Sequence, residues 1–291
     1  MAIHPEPRRR PAVALSIAAS DSGGGAGIQA DLLTFAAHGV YGTTVLTAGT
    51  AQNTRGVTAI EPFSTLFVRR QLDAVFSDFR PAAVKIGMLF DAARAREVAR
   101  GLARHRARRV VLDPVMVSKS GAALLAPAAT RALRDLFPLC ELVTPNLPEA
   151  EALAGIAIRD AADRRRAAEI LVDRGAAAVL IKGGHGRGAT VSDLLFDGRR
   201  WWDFEHPRVR TRAMHGTGCT LSSAIAARFA LGHDLADAAA GAIRYLQSAL
   251  EKGLFPGGGW GTPDRFAVLR RPTPRGKTRS PARGTRIPRP R

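Results

Sequence analysis

Cysteine is nearly missing from this 291-residue chain, which holds only Cys140 and Cys219. Two thiols make neither a disulfide framework nor a cysteine metal cluster, so a reducing cytoplasm is the expected compartment. Aromatic residues are scarce as well, at 6%. The core must therefore be filled by Ala, Val, Leu and Ile, and a base-stacking surface for nucleic acid is not in view. No apolar run is long enough to cross a bilayer, so no membrane partner is expected. The start "MAIHPEPRRRPAVALSIAAS" is basic and then apolar, like a signal peptide. It runs directly into "DSGGGAGIQAD" without a cleavage site, and reads as a tail entering a first strand. Lysine is rare too: Lys85, Lys119, Lys182, Lys252 and Lys277 are the only five among 43 basic residues.

The familiar nucleotide signatures are also absent. Gly276-Lys277-Thr278 lacks the upstream glycine of a P-loop. "SGGGAGIQAD" does not complete G-x-G-x-x-G, because Ile28 or Ala26 takes a glycine slot in the registers starting at Gly23 and Gly24. Acid is missing from residues 270–291, which carry nine Lys/Arg. Much of the net charge of +18 thus sits in the tails. Residues 1–11 and the Pro/Arg-rich 270–291 read as disordered basic tails. Their concentration of charge leaves the body with a moderate excess, so nucleic acid is not a required partner. Weak polyanion binding through the C-terminal tail is the distant alternative.

What is present is an alternation of strands and helices through residues 12–269. Apolar runs at 12–20, 43–50, 82–89, 109–116, 140–146 and 177–184 predict buried strands. Helical spacing marks 27–39, 91–105, 162–174, 217–231 and 234–251, and Asp197-Gly198 centres a hairpin over 190–205. This pattern predicts an α/β fold in one domain, with a mainly parallel central sheet flanked by helices. Ligand groups in such sheets gather at the carboxyl ends of strands. Asp21, Gln52, Lys85, Asp113, Asn146 and Lys182 all fall there.

"HGTGCT" (215–220) opens a predicted helix. Backbone N–H groups at a helix start converge on an anion, and glycines let it approach. An ordinary Gly-rich loop is the plain alternative. A thiol at that place, Cys219, is expected to have a lowered pKa. Cys140, on a predicted strand, reads as buried and inert.

"ALSIAASDSGGGAGIQADL", "TAGTAQNTRGV", "VKIGML", "LDPVMVSKSG", "TPNLPEA", "IKGGH" and "HGTGCTLSSA" occur in this order. Together they resemble the hydroxymethylpyrimidine and phosphomethylpyrimidine kinases of thiamine biosynthesis, within the ribokinase-like superfamily, from about residue 13 to 268. The resemblance implies ATP and Mg²⁺ as cofactors, a small pyrimidine substrate and a homodimer. It implies two phosphorylations, first of an alcohol and then of the monophosphate. Gln52 matches a pyrimidine reader, and its amide offers one donor beside one acceptor. Asp31 matches a substrate-pocket acid, or is a first-turn helix acid. Met88 and Val115 match apolar ring walls, or are core packing. Lys182 would reach ATP phosphates, with Lys85 and Lys119 as weaker candidates. Asp113, Asn146 and Glu149 would serve Mg²⁺ through water, and the last two also form a helix cap. Gly216, Thr217 and Gly218 supply anion-hole amides, and Cys219 stands where most ribokinase-like enzymes keep an aspartate base, unless it is a small filler. His185, His206 and His215 lack metal-ligand spacing. The nearest alternative activity is a pyridoxal or pyridoxine kinase of the same branch.

Overall fold

The computed structural model describes residues 10–116, 121, 129–185 and 188–266. Lys119 and nearly all of both basic tails lie outside the described residues, so the readings of those segments stay expectations.

Nine strands form one continuous sheet in the order β3-β2-β1-β4-β5-β6-β7-β8-β9. They are β1 (Val13–Asp21), β2 (Tyr41–Gln52), β3 (Val57–Pro62), β4 (Ala83–Ile86), β5 (Val110–Leu112), β6 (Leu142–Val143), β7 (Val179–Ile181), β8 (Thr190–Phe196) and β9 (Trp201–Pro207). The six strands from β2 to β7 in that order run parallel. An antiparallel strand at one edge and a hairpin at the other complete the sheet.

The helices are α1 (Gly27–Ala37), α2 (Thr65–Asp78), α3 (Ala92–Arg104), α4 (Thr130–Arg134), α5 (Leu147–Ala154), α6 (Ala161–Asp173), α7 (Thr217–Ala230) and α8 (Leu235–Glu251). Alternation along each strand serves both faces of the sheet. Leu15 and Ile17 of β1 pack with Leu72, Val98, Leu153 and Leu171 from α2, α3, α5 and α6. Ala14, on the opposite face, joins Phe35, Ile225 and Ala239 from α1, α7 and α8. Each large side chain so buried contributes about 1.5–3 kcal/mol. Alanine and serine dominate α7, and residues 220–227 of it are buried. Small side chains let this helix lie between the sheet and its neighbours.

Several strands are shorter than their apolar runs predict. The run 109–116 yields only Val110–Leu112, because Pro114 has no N–H to continue a ladder. The run 140–146 yields only Leu142–Val143. Cys140 is therefore not on a strand: it ends a short 3₁₀ turn, buried, with its thiol donating to the Leu136 carbonyl at 3.2 Å. Apolar surroundings push that thiol well up, which matches an inert residue.

Candidate active site

Parallel strands carry their carboxyl ends to one edge of the sheet. There Asp21, Gln52, Met88, Asp113, Asn146 and Lys182 line a single cavity of about 580 Å³. Val115, Glu149 and Gly216 through Cys219 line it as well, as do Lys85 and His215. Of the residues selected from the sequence as site candidates within the described segments, only Asp31 is not on its wall.

At one end stands the start of α7. Helices α2, α3, α5, α6 and α8 each begin under a side chain that accepts a first-turn N–H. α1 and α7 border the cavity and have no such cap. The Gly218 and Cys219 amides in the first turn of α7 therefore keep their hydrogen-bonding capacity and partial positive charge for an anion, while the Thr217 N–H reaches the Met214 carbonyl at 3.4 Å. Gly216 makes this turn possible. Its φ is +77°, and a Cβ there would lie 2.0 Å from the Gly25 carbonyl oxygen. Arg265, 2% exposed, ties the two loops together. It donates to Thr220 Oγ1 at 2.9 Å, Thr262 Oγ1 at 2.8 Å, and the Gly25 and Gly216 carbonyls at 2.8 and 3.3 Å.

Facing α7 is a charged cluster. Lys182 Nζ donates to Asp113 Oδ1 at 2.8 Å and lies 3.9 Å from Glu149 Oε2. Burial works against the Lys182 cation, and the two carboxylates overcome it, holding its pKa above the ordinary value. Burial pushes Glu149 up to about 7, with Asp113 adding to the rise and Lys182 opposing it. Asn146 and Glu149 form a complete capping box on α5: Asn146 Oδ1 accepts from the Glu149 N–H at 2.9 Å, and Glu149 Oε2 accepts from the Asn146 N–H at 2.8 Å. Among the described residues no three His, Cys, Asp or Glu side chains are grouped as a closed metal cage. Two carboxylates in an open cavity instead suit a cation that keeps most of its water and shares phosphate oxygens.

Cys219 is half-buried on the same wall. Its sequence position suggests a lowered pKa, and the structure corrects that. Burial pushes the thiol up, and Asp31 and Asp113 push it further. Lys85 and the Gly27 N–H pull in the other direction without prevailing. Desolvation outweighs the helix start, so the resting form is the thiol.

Asp31 sits behind the wall, fully buried. It accepts from Lys85 Nζ at 2.9 and 2.8 Å, from Ser16 Oγ at 2.5 Å and from Ser223 Oγ at 2.6 Å. Strand register places Ser16 beside Lys85. The sheet, α1 and α7 thus converge on one carboxylate, which holds the lysine that does reach the cavity.

The same cavity has an apolar lining from Ala18, Ala19, Met88 and Val115, and Gln52 lies on its wall. A register shift between Ala18 and Ser20 bends the end of β1 there. Gln52 is pinned through its backbone, since Ser22 Oγ accepts from its N–H at 2.8 Å and donates to its carbonyl at 2.7 Å. His215 Nε2 lies 2.9 Å from Asp21 Oδ2 and 3.2 Å from Gln52 Nε2. Burial alone would raise Asp21, but hydrogen bonds from His215, Ala26 and Gly23 hold it below its ordinary value.

Sequence reasoning passed over His215 and Arg265, and ranked Lys85 low. For Lys85 a signal existed, since a rare lysine inside the apolar run "AAVKIGML" must be paired. His206 is also on the wall, 3.1 Å from Asp193 Oδ2, and that hydrogen bond raises its pKa against burial.

The fold and this cavity together define a small-molecule kinase of the ribokinase-like class. Residues 21–264 match the family model for phosphomethylpyrimidine kinase. The chain is 54% identical over 241 residues to the hydroxymethylpyrimidine/phosphomethylpyrimidine kinase of Rhizobium meliloti, covering 82% of this chain and 90% of that one. The crystal structure of phosphomethylpyrimidine kinase from Clostridium difficile 630 superposes with a TM-score of 0.74 at 42% identity, covering 82% of this chain and 99% of that one. An ADP complex of Bacillus subtilis pyridoxal kinase gives a TM-score of 0.83 at 34% identity, covering 89% and 99%. The chain belongs to the phosphomethylpyrimidine kinase family.

Proposed function

We propose that the chain transfers phosphate from ATP to the alcohol of 4-amino-5-hydroxymethyl-2-methylpyrimidine, and then a second phosphate to the monophosphate, for thiamine biosynthesis. The observation that carries this reading is the joining, in one cavity, of the Gln52 amide, apolar side chains, an uncapped helix start and the Cys219 thiol. Gln52 reads the aminopyrimidine edge, and Met88 and Val115 hold the ring. Asp31 acts at one remove, through Lys85.

Phosphoryl transfer depends on position and charge neutralisation. The amides of Gly216, Thr217, Gly218 and Cys219 receive the charge of the moving phosphoryl group, and Lys182 binds the ATP phosphates. Asp113, Glu149 and Asn146 would hold Mg²⁺ through water. When bound, the cation supplies charge neutralisation on the phosphate oxygens. Cys219 accepts the alcohol proton in the first reaction, from the small fraction that is thiolate at rest. The second acceptor is a phosphate oxygen already ionised near neutral pH.

Residues 12–269 act as one kinase domain, in a cytoplasmic homodimer. Two unpaired thiols suit a reducing compartment. Among the described residues no helix is long and apolar enough to cross a membrane. Exposed Leu66 and Phe67 at the start of α2 offer apolar surface to a second copy.

A second reading, pyridoxal phosphorylation in the same cavity, is favoured by the TM-score of 0.83 to a pyridoxal kinase. Product analysis with ATP and Mg²⁺ decides, comparing the hydroxymethylpyrimidine, its monophosphate and pyridoxal. Both pyrimidine products are expected, and turnover of pyridoxal alone would overturn the primary reading.

A further inference from the structure

The two ends of the Gln52 amide have almost the same size, so the protons around them decide which is which. One end lies 3.2 Å from His215 Nε2, and the other lies 3.0 Å from Thr50 Oγ1. Each neighbour has a second partner. His215 Nε2 also lies 2.9 Å from Asp21 Oδ2. Asp21 is held in its ionised form by three donors, and a carboxylate only accepts. Nε2 of His215 therefore carries a proton. A protonated nitrogen cannot accept from an amide N–H, so the end of Gln52 that faces it must be the oxygen.

Thr50 accommodates the same answer. Its hydroxyl has one proton, and the Ser20 carbonyl lies 3.0 Å away. A hydroxyl turns freely, so it gives that proton to Ser20 when it accepts from a Gln52 NH₂. With NH₂ at Thr50, both Ser20 and Gln52 are satisfied, whereas an oxygen there takes the Thr50 proton from Ser20. One half-turn of the amide suits both neighbours, and His215 is the one that requires it.

We propose that His215 and Thr50 lock the Gln52 amide with its oxygen on the His215 side and its NH₂ on the Thr50 side, and so determine specificity at the ring edge. Locked in this way, the amide keeps one lone pair toward the cavity beside His215 and one N–H beside Thr50. The matching ring edge carries an exocyclic amine next to an unprotonated ring nitrogen. A 4-oxo ring carries a carbonyl next to a protonated nitrogen, which is the reverse pattern. It would meet its mirror only if the amide turned over, and turning it places N–H against N–H at His215 and draws the Thr50 proton away from Ser20. His215 is a positioning residue here: it selects the ring through Gln52. This deepens the kinase reading above and rests on it, through the role of Gln52.

The test compares kcat/KM for the 4-amino alcohol and for its 4-oxo analogue within each protein. His215→Leu and Thr50→Val each remove one lock, and the amino/oxo ratio should fall about tenfold in each, the worth of one hydrogen-bond constraint. His215→Gln keeps a donor near the place of Nε2, Thr50→Ser keeps the hydroxyl, and both should hold the ratio near that of the parent protein. A general loss of stability lowers both substrates together and leaves the ratio alone. If His215→Leu folds poorly, Thr50→Val carries the test by itself. An unchanged ratio in His215→Leu and Thr50→Val, with a collapsed ratio in Gln52→Leu, would overturn the lock and leave the kinase reading standing. An unchanged ratio in Gln52→Leu would overturn both the lock and the role of Gln52 as ring reader.

Discussion

Lys85 and Asp31 form an ion pair with no exposed surface, the ammonium 2.8 Å from one carboxylate oxygen and 2.9 Å from the other. Burial works against the lysine cation, and Asp31 foremost, with Asp113, holds it charged. The pair lies between the sheet and the two helices whose starts border the cavity. It therefore connects folding to the reaction centre.

Breaking this pair from one side should be costly. Lys85→Met leaves a buried carboxylate without its cation, and should cost about 3–5 kcal/mol in urea unfolding. Lys85→Met/Asp31→Leu removes both charges and should recover much of that loss. The lysine also pulls the Cys219 thiol down. In the double variant, alkylation of Cys219 by iodoacetamide at fixed pH should change only through these two opposing charges. A single variant as stable as the parent would show that the pair does not hold α1 and α7 to the sheet.

Glu149 gives a pH dependence of definite sign. Its pKa rises from an ordinary 4.5 to about 7 on folding, so between those values the folded protein binds more protons than the unfolded one. Stability from this group is full below the unfolded pKa and declines as pH rises through the folded one. Glu149→Gln keeps the capping box and removes the titration. Urea midpoints between about pH 5 and pH 8 should slope downward in the parent protein and flatten in the variant. Parallel slopes would mean that Glu149 is not the titrating group.

Much of this site was legible in the sequence because strand ends announce themselves. Asp113-Pro114 and Pro145-Asn146 stop apolar runs where the cavity begins, and "HGTGCT" opens α7 as its spacing implies. Depth was not legible. Asp31 has the same local context whether it faces a cavity or a lysine, and only the packing of α1 against α7 and β4 decides. β3 and α2 went unassigned for a related reason. All six β3 residues are only half-covered or exposed at the sheet edge, and α2 buries fully only Val68 and Leu72, so periodicity there is faint. Arg265 was hidden in a Gly-rich stretch whose partners lie far away in sequence.

Gly216 and Gly218 should separate folding from binding. Gly216→Ala adds a Cβ at positive φ, 2.0 Å from a carbonyl oxygen and 2.6 Å from an Arg265 nitrogen. It should lower the melting temperature and abolish activity. Gly218→Ala is different. Its Cβ meets Asp113 Oδ2 at 3.2 Å and Lys182 Nζ at 3.4 Å, and alanine favours a helix by up to about 1 kcal/mol over glycine. This variant should melt near or above the parent, while KM for ATP rises about tenfold or more, because the methyl enters the phosphate cradle. Equal melting temperatures for the two variants would count against the close approach of the 25 and 216 loops.

Cys219 is where the two reactions should part. Burial holds its thiol up, so at neutral pH little thiolate is present. The alcohol needs a base, and its phosphorylation should rise with pH toward the ionisation of this thiol. The monophosphate brings an oxygen that is already ionised, and its phosphorylation should lack that rise. Cys219→Ala should slow the first reaction by about 10²–10⁴-fold, the usual worth of a general base, and the second far less. Cys219→Asp places a group of lower pKa at the same point, and should move the rise of the first reaction to lower pH. Equal losses in both reactions for Cys219→Ala would assign the residue to loop geometry, because a misplaced amide harms any transferred phosphoryl group, whereas a missing base harms only the acceptor that still carries a proton.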